Sequence, residues 1–171
     1  MKAILFTLAI IICIVNAQPF IDGSLYQITC MASFNFLTIE NEQTTNGANL
    51  IAYPLYTHPS QFFTLNFVDG KWATLVARHS GKALTTSANT VGAKITQEDL
   101  TGLANQQFRF LETKNGNTLI QNRASGLYLN CNSARRSEID ENHILVIQEA
   151  RDCSWKQRFM FEEITWYPPS N

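Results

Sequence analysis

The sequence predicts an all-β fold built from three similar four-stranded units, and three observations predict it. A Gln-x-Phe phrase occurs three times, Asp-Gly or Asn-Gly turn pairs recur in step with it, and no segment carries a helical apolar period. The size suits one such domain: 171 residues, 45% hydrophobic, with 11 Phe available for a core.

The elements follow in order within each unit. Asp22-Gly23, Asp69-Gly70 and Asn115-Gly116 each open a unit. Glycine tolerates the positive φ of a tight turn, and a first strand is expected after each pair. A Ser then begins a related phrase, Ser33-Phe34-Asn35-Phe36-Leu37, Ser80-Gly81-Lys82-Ala83-Leu84 and Ser125-Gly126-Leu127-Tyr128-Leu129, which leads into the second strand. Asn49-Leu50-Ile51-Ala52, Lys94-Ile95-Thr96-Gln97 and Leu145-Val146-Ile147-Gln148 supply the third. The fourth carries Gln61-Phe62-Phe63-Thr64-Leu65, Gln106-Gln107-Phe108-Arg109-Phe110 and Gln157-Arg158-Phe159-Met160-Phe161. Apolar residues alternate there with period two, so Phe63/Leu65, Phe108/Phe110 and Phe159/Phe161 are expected on one inward face. Three such units about one axis make a twelve-stranded β-trefoil with these pairs at its centre. A two-sheet sandwich is the alternative.

The two ends of the chain read differently. Lys2, the apolar run from Ala3 to Val15 interrupted only by Thr7, and the small or apolar positions of Val15-Asn16-Ala17 form the pattern of a secretory signal peptide cleaved after Ala17. The apolar run is shorter than the roughly 20 residues that span a bilayer. The expected organisation is a signal peptide at 1–17, a β-trefoil domain at 18–165 and a C-terminal tail at 166–171, in a secreted, extracellular protein with no membrane span. A net charge of −1 gives no electrostatic footprint for nucleic acid. Segment 133–142, which contains Arg135-Arg136, Glu138, Asp140 and Glu141, is expected as a solvated loop.

Export would remove Cys13 and leave Cys30, Cys131 and Cys153. An odd count allows one internal bridge at most. Cys131 and Cys153 fall in the same repeat and are the expected disulfide, with Cys30 unpaired. Closing that loop would contribute roughly 3 kcal/mol in the chain-entropy view. No Cys/His cluster has metal-ligand spacing, and no phosphate-binding loop or hydrolase motif is present, so no metal, cofactor or enzyme activity is expected.

The Asp-Gly turn, the Ser-Gly-Lys-x-Leu phrase and the Gln-x-aromatic motif together resemble the ricin B-type β-trefoil family, whose last motif is usually Gln-x-Trp. The likeness is strongest from Ser87 to Phe110 and extends over residues 22 to 164. Phe stands for Trp in all three copies. The resemblance implies a secreted carbohydrate-binding, lectin-like protein whose partners are glycans or glycoproteins. It also implies a shallow site in some repeats, using a carboxylate after the second-strand phrase, an aromatic on the third strand and an Asn before the motif Gln. Those positions hold Thr38, Tyr53 and Ser60 in repeat one, Thr85, Glu98 and Asn105 in repeat two, and Asn130, Glu149 and Lys156 in repeat three. No repeat has the full set. Tyr53 reads either as an edge-packed aromatic or as a stacking face. Asn105 and Asn130 read either as turn residues or as ligand contacts. Repeat one is the first choice, with Tyr53 stacking and Thr38 and Asn49 serving hydroxyls. A protein-binding trefoil, such as a protease inhibitor or receptor ligand, is the alternative function.

Overall fold

The structure is a computed structural model and describes residues 20–137 and 143–165; the expected signal segment, the centre of the charged insertion and the tail lie outside them. Repeat one contains β1 (Leu25–Cys30), β2 (Asn35–Ile39), β3 (Leu50–Tyr53) and β4 (Phe62–Phe67). Repeat two contains β5 (Ala73–Ala77), β6 (Ala83–Thr86), β7 (Ile95–Glu98) and β8 (Phe108–Glu112). Repeat three contains β9 (Thr118–Asn122), β10 (Tyr128–Arg136), β11 (Ile144–Glu149) and β12 (Phe159–Glu163). Short 3-10 turns are the only helical elements among the described residues.

The first and fourth strands of the three units close a six-stranded barrel, β1–β4–β5–β8–β9–β12 and back to β1, every pairing antiparallel. The second and third strands form three hairpins, β2–β3, β6–β7 and β10–β11, that cap it. Closure leaves the barrel without an edge. The core repeats with the strands. Phe63, Phe108 and Phe159 are sealed from solvent, as are Ile28, Leu75 and Ile120 on the first strands and Leu37, Leu84 and Leu129 on the second. The inward face expected for the Gln-x-Phe phrase is therefore observed. Its outer members Phe110 and Phe161 gather with Phe20 and Tyr26, ring centroids 4.8–5.9 Å apart, edge-to-face except for the tilted Phe20–Phe110 pair.

Two local expectations need correction. Gly23 and Gly116 adopt φ of 75° and 74°, but Gly70 does not enter the left-handed region. There the Asp69 carboxylate accepts from the Lys71 and Trp72 N–H groups, and the side chain organises a longer turn. The segment expected as a loop from residue 133 begins as strand, because β10 continues to Arg136 across a register shift against β11.

Buried amides fasten one repeat to the next. The Gln97 amide donates to Gln43 O and Thr45 O of repeat one, and its oxygen accepts from Ser80. Gln148 donates in the same way to Ala88 O and Thr90 O of repeat two and accepts from Ser125. The corresponding residue of repeat one is Ala52, so the seam between repeats three and one has the strand pairing, Leu145 opposite Ile51, without an amide clasp. Its place is taken by Glu40, which is buried and bonded to Asn49, Ser137 and His143.

Candidate functional site

The motif glutamines fasten the loops that precede the fourth strands. Gln61 is fully buried; its amide donates to Thr38 Oγ1 (3.0 Å) and Pro54 O (2.9 Å), and its oxygen accepts from the Tyr56 N–H (3.1 Å). Gln106 repeats this on Thr85 Oγ1, Asp99 O and the Thr101 and Gly102 N–H groups. The residue at the position where the resemblance implies a carboxylate is thus tied to the motif Gln in both units, as a threonine that cannot carry charge.

In repeat one this scaffold opens a cavity of about 300 Å³ lined by Thr38, Asn41, Glu42, Ile51, Tyr53, Tyr56 and His143. Tyr53, at the end of β3, meets Tyr56 and His143 edge-on, at centroid distances of 5.7 and 4.9 Å and interplanar angles of 88°. Asn41 and Glu42 hold φ of 51° and 56°, a left-handed turn that directs them to the rim. Asparagine adopts that conformation readily, whereas a glutamate there carries strain. The Glu42 carboxylate lies 3.3 Å from His58 Nε2. His58 Nδ1 accepts from the Ser60 N–H, which leaves Nε2–H to face Glu42. The His58 ring stacks parallel on Tyr56 at 5.8 Å, and Tyr56 hydroxyl bonds Ser60 Oγ at 2.7 Å. Burial of the Tyr56 phenol raises its pKa, so Tyr56 remains a neutral hydrogen-bonding group.

Ser60, His58 and Glu42 have the order of a nucleophile, a base and an acid. Ser60 is 0% exposed and its hydroxyl is engaged by Tyr56 and His58, so no substrate carbonyl reaches it. The chain of bonds holds loop 54–60 in place.

The expected site residues scatter. Thr38 and Tyr53 line the cavity. Asn49 lies behind it and donates 2.7 Å to Glu40 Oε2. Asn105 sits in the 3-10 turn before β8, its carbonyl accepting from Thr86 and Asn122. Asn130 is buried in β10 opposite Ile147, with no hydrogen-bond partner for its Oδ1 among the described residues. Asn41, Glu42, Tyr56 and His143 were not foreseen; the only sequence signal was the Tyr56-x-His58 pair close before Gln61.

The Cys131–Cys153 bridge is also corrected: all three described cysteines are free thiols. Cys131 follows the inward parity of Leu129 and is buried, whereas Cys153 is exposed at φ 58° in the loop before β12. Among the described residues no cluster of three His, Cys, Asp or Glu is arranged to hold a metal, and no helix is long and apolar enough to cross a membrane.

Residues 17–98 match the family described as ricin-type beta-trefoil lectin domain-like. No curated protein sequence matches significantly. Among solved structures the fold is similar to the designed threefold-symmetric protein ThreeFoil, at 30% identity and TM-score 0.76, covering 84% of this chain and 100% of that one. The exo-β-1,3-galactanase 1,3Gal43A of Clostridium thermocellum aligns at 21% identity and TM-score 0.75 over 84% of this chain, which spans only 31% of the enzyme. The ricin B-like lectin of Macrolepiota procera, solved with lactose, aligns at 15% identity and TM-score 0.68, covering 84% of this chain and 97% of the lectin. With its closed barrel, its three Gln-x-Phe units and these matches, the chain belongs to the ricin-type β-trefoil lectin-like family.

Proposed function

We propose that this is a secreted carbohydrate-binding protein whose site is the repeat-one cavity. The observation that carries this reading is the pairing of an aromatic wall, Tyr53 with Tyr56, and a partly exposed carboxylate, Glu42, on one open cavity. A pyranose presents an apolar C–H face and a rim of hydroxyls. Tyr53 takes the face, and the Glu42 carboxylate and Asn41 amide take the hydroxyls. Glu42 thereby supplies the charged acceptor that Thr38 cannot. Lactose bound in the Macrolepiota procera lectin lends support at the level of the fold. The sealing of Ser60 favours binding over hydrolysis. One shallow site of this kind holds a monosaccharide at about millimolar Kd, roughly −4 kcal/mol, and gains strength on dense glycan surfaces through multivalency.

A glycan array probed with multimerised native protein and with Tyr53→Ala tests this. Native binding that Tyr53→Ala abolishes is the expected result. Binding that survives the substitution moves the site away from repeat one. Silence across the array transfers the weight to a protein ligand, for which a protease-inhibition panel is the next assay. Export is tested separately: N-terminal sequencing of the secreted product should begin at Gln18.

A further inference from the structure

We propose that Cys30 and Cys131 form a disulfide that joins repeat one to repeat three, leaving Cys153 as the free thiol. The proposal is independent of the carbohydrate reading. Cys30 ends β1, opposite Phe159 of β12 and Asn35 of β2, and Cys131 lies in β10 opposite Val146. Both belong to one hydrophobic core cluster, 0% and 2% exposed, and each thiol acts on the proton affinity of the other.

The pseudo-threefold relation explains the meeting. Cys30 stands two residues beyond the core residue Ile28, as Ala77 does beyond Leu75 and Asn122 beyond Ile120; Cys131 stands two beyond Leu129, as Ile39 does beyond Leu37 and Thr86 beyond Leu84. At the seam of repeats two and three the equivalent pair, Thr86 and Asn122, also converges, both donating to Asn105 O. At the seam of repeats one and two, Ile39 and Ala77 share the core. Two cysteines have taken this position at the one seam that has no glutamine clasp.

In the closed barrel the Cys131 thiol, together with donors from Ala32 and Ser33, lowers the Cys30 pKa to about 7 against the burial that raises it, and burial with the neighbouring Cys30 pushes Cys131 well up. While the chain is folding either thiol can attack first, with the same product. With a disulfide oxidant, glutathione disulfide or a protein disulfide, Cys30, where it is first, attacks one oxidant sulfur and the other leaves as a thiolate. Cys131 then loses its proton to solvent, attacks the Cys30 sulfur and expels the second oxidant thiolate. Two protein thiols become one disulfide and one oxidant disulfide becomes two thiols. Because both sulfurs are sealed in the closed barrel, exchange takes place as the chain folds.

The test is peptide mapping of the full chain, refolded in a glutathione redox buffer, denatured in iodoacetamide and digested without reduction. The expected result is one cross-linked peptide pair bearing Cys30 and Cys131, with alkylation at Cys153. Alkylation of both Cys30 and Cys131, or a Cys131–Cys153 cross-link, overturns the proposal. A Cys153→Ser variant should keep the cross-link. Reduced in denaturant and refolded under reductant, it should melt about 5–12 °C below its oxidised form. Equal midpoints would also overturn the proposal.

Discussion

Replacing Gln61 with alanine asks whether the motif glutamine supports the site or merely fills the core. The side chain makes three hydrogen bonds in a fully buried position, to Thr38 Oγ1, Pro54 O and the Tyr56 N–H. Truncation leaves the Tyr56 N–H and the Pro54 carbonyl without those partners, while the Thr38 hydroxyl keeps its bond to Phe36 O. Pro54 and Tyr56 lie on an exposed loop, so each abandoned group stands at the low end of about 1–3 kcal/mol, and the sum is about 2 kcal/mol. For a chain of this length that is a fall in Tm of about 4–8 °C. Loop 54–60 carries Tyr56 and His58, so its loosening should also weaken glycan binding by more than Tyr56→Phe does. Calorimetry and glycan titration of Gln61→Ala, with Gln61→Glu as a same-size comparison, give both numbers. A Tm within 2 °C of wild type would refute the reasoning, because it would mean that the three bonds are replaceable by water or by relaxation.

Three further outcomes are expected. Phe34 is 70% exposed and holds φ 57° where the other two repeats have Gly81 and Gly126 at 69° and 70°, so Phe34→Gly should stabilise by about 1 kcal/mol, read as a rise of about 2–4 °C in Tm. Glu42→Gln exchanges a charge-assisted acceptor for a neutral one and should weaken glycan binding about threefold to thirtyfold in a direct titration, leaving far-ultraviolet circular dichroism unchanged. Burial lowers the His79 pKa below 6.5, and its Nε2 bonds Gln43 O at 2.8 Å. The unfolded chain therefore takes up this proton first on acidification. The contribution of His79 is complete above pH 6.5 and is lost as pH falls through the lower folded value. Denaturant titrations of His79→Gln against wild type should show a shallower loss of stability over that window.

The fold was legible because its landmarks are local and recur. A turn pair, a Ser phrase and Gln-x-Phe each encode one piece of backbone, and three copies in the same order leave little room for another architecture. The site was less legible because its parts are not local. Tyr53 was placed by its offset from Gln61, but His143 reaches it from another repeat, and Glu42 arrives through a left-handed turn that no residue preference announces. Asn130 has the right offset and the wrong surroundings: it is buried on the face of β10 opposite to Leu129 and Cys131. The cysteines show the same limit. Grouping them by repeat favoured Cys131 with Cys153, whereas burial separates that pair: Cys131 shares the sealed core with Cys30 of another repeat, and Cys153 lies exposed.

The missing glutamine at Ala52 gives the cavity a mechanical meaning. The molecule is a ring of three joints, two buckled by the same amide and the third held by Glu40 and its partners. The cavity straddles that third joint, since Tyr53 and Glu42 belong to one side of it and His143 to the other. A ligand lodged there touches both sides and becomes a buckle itself. Occupancy should then slow amide exchange at Ile51 and Leu145, across this joint, more than at Asn49 and Thr96, across the joint already fastened by Gln97.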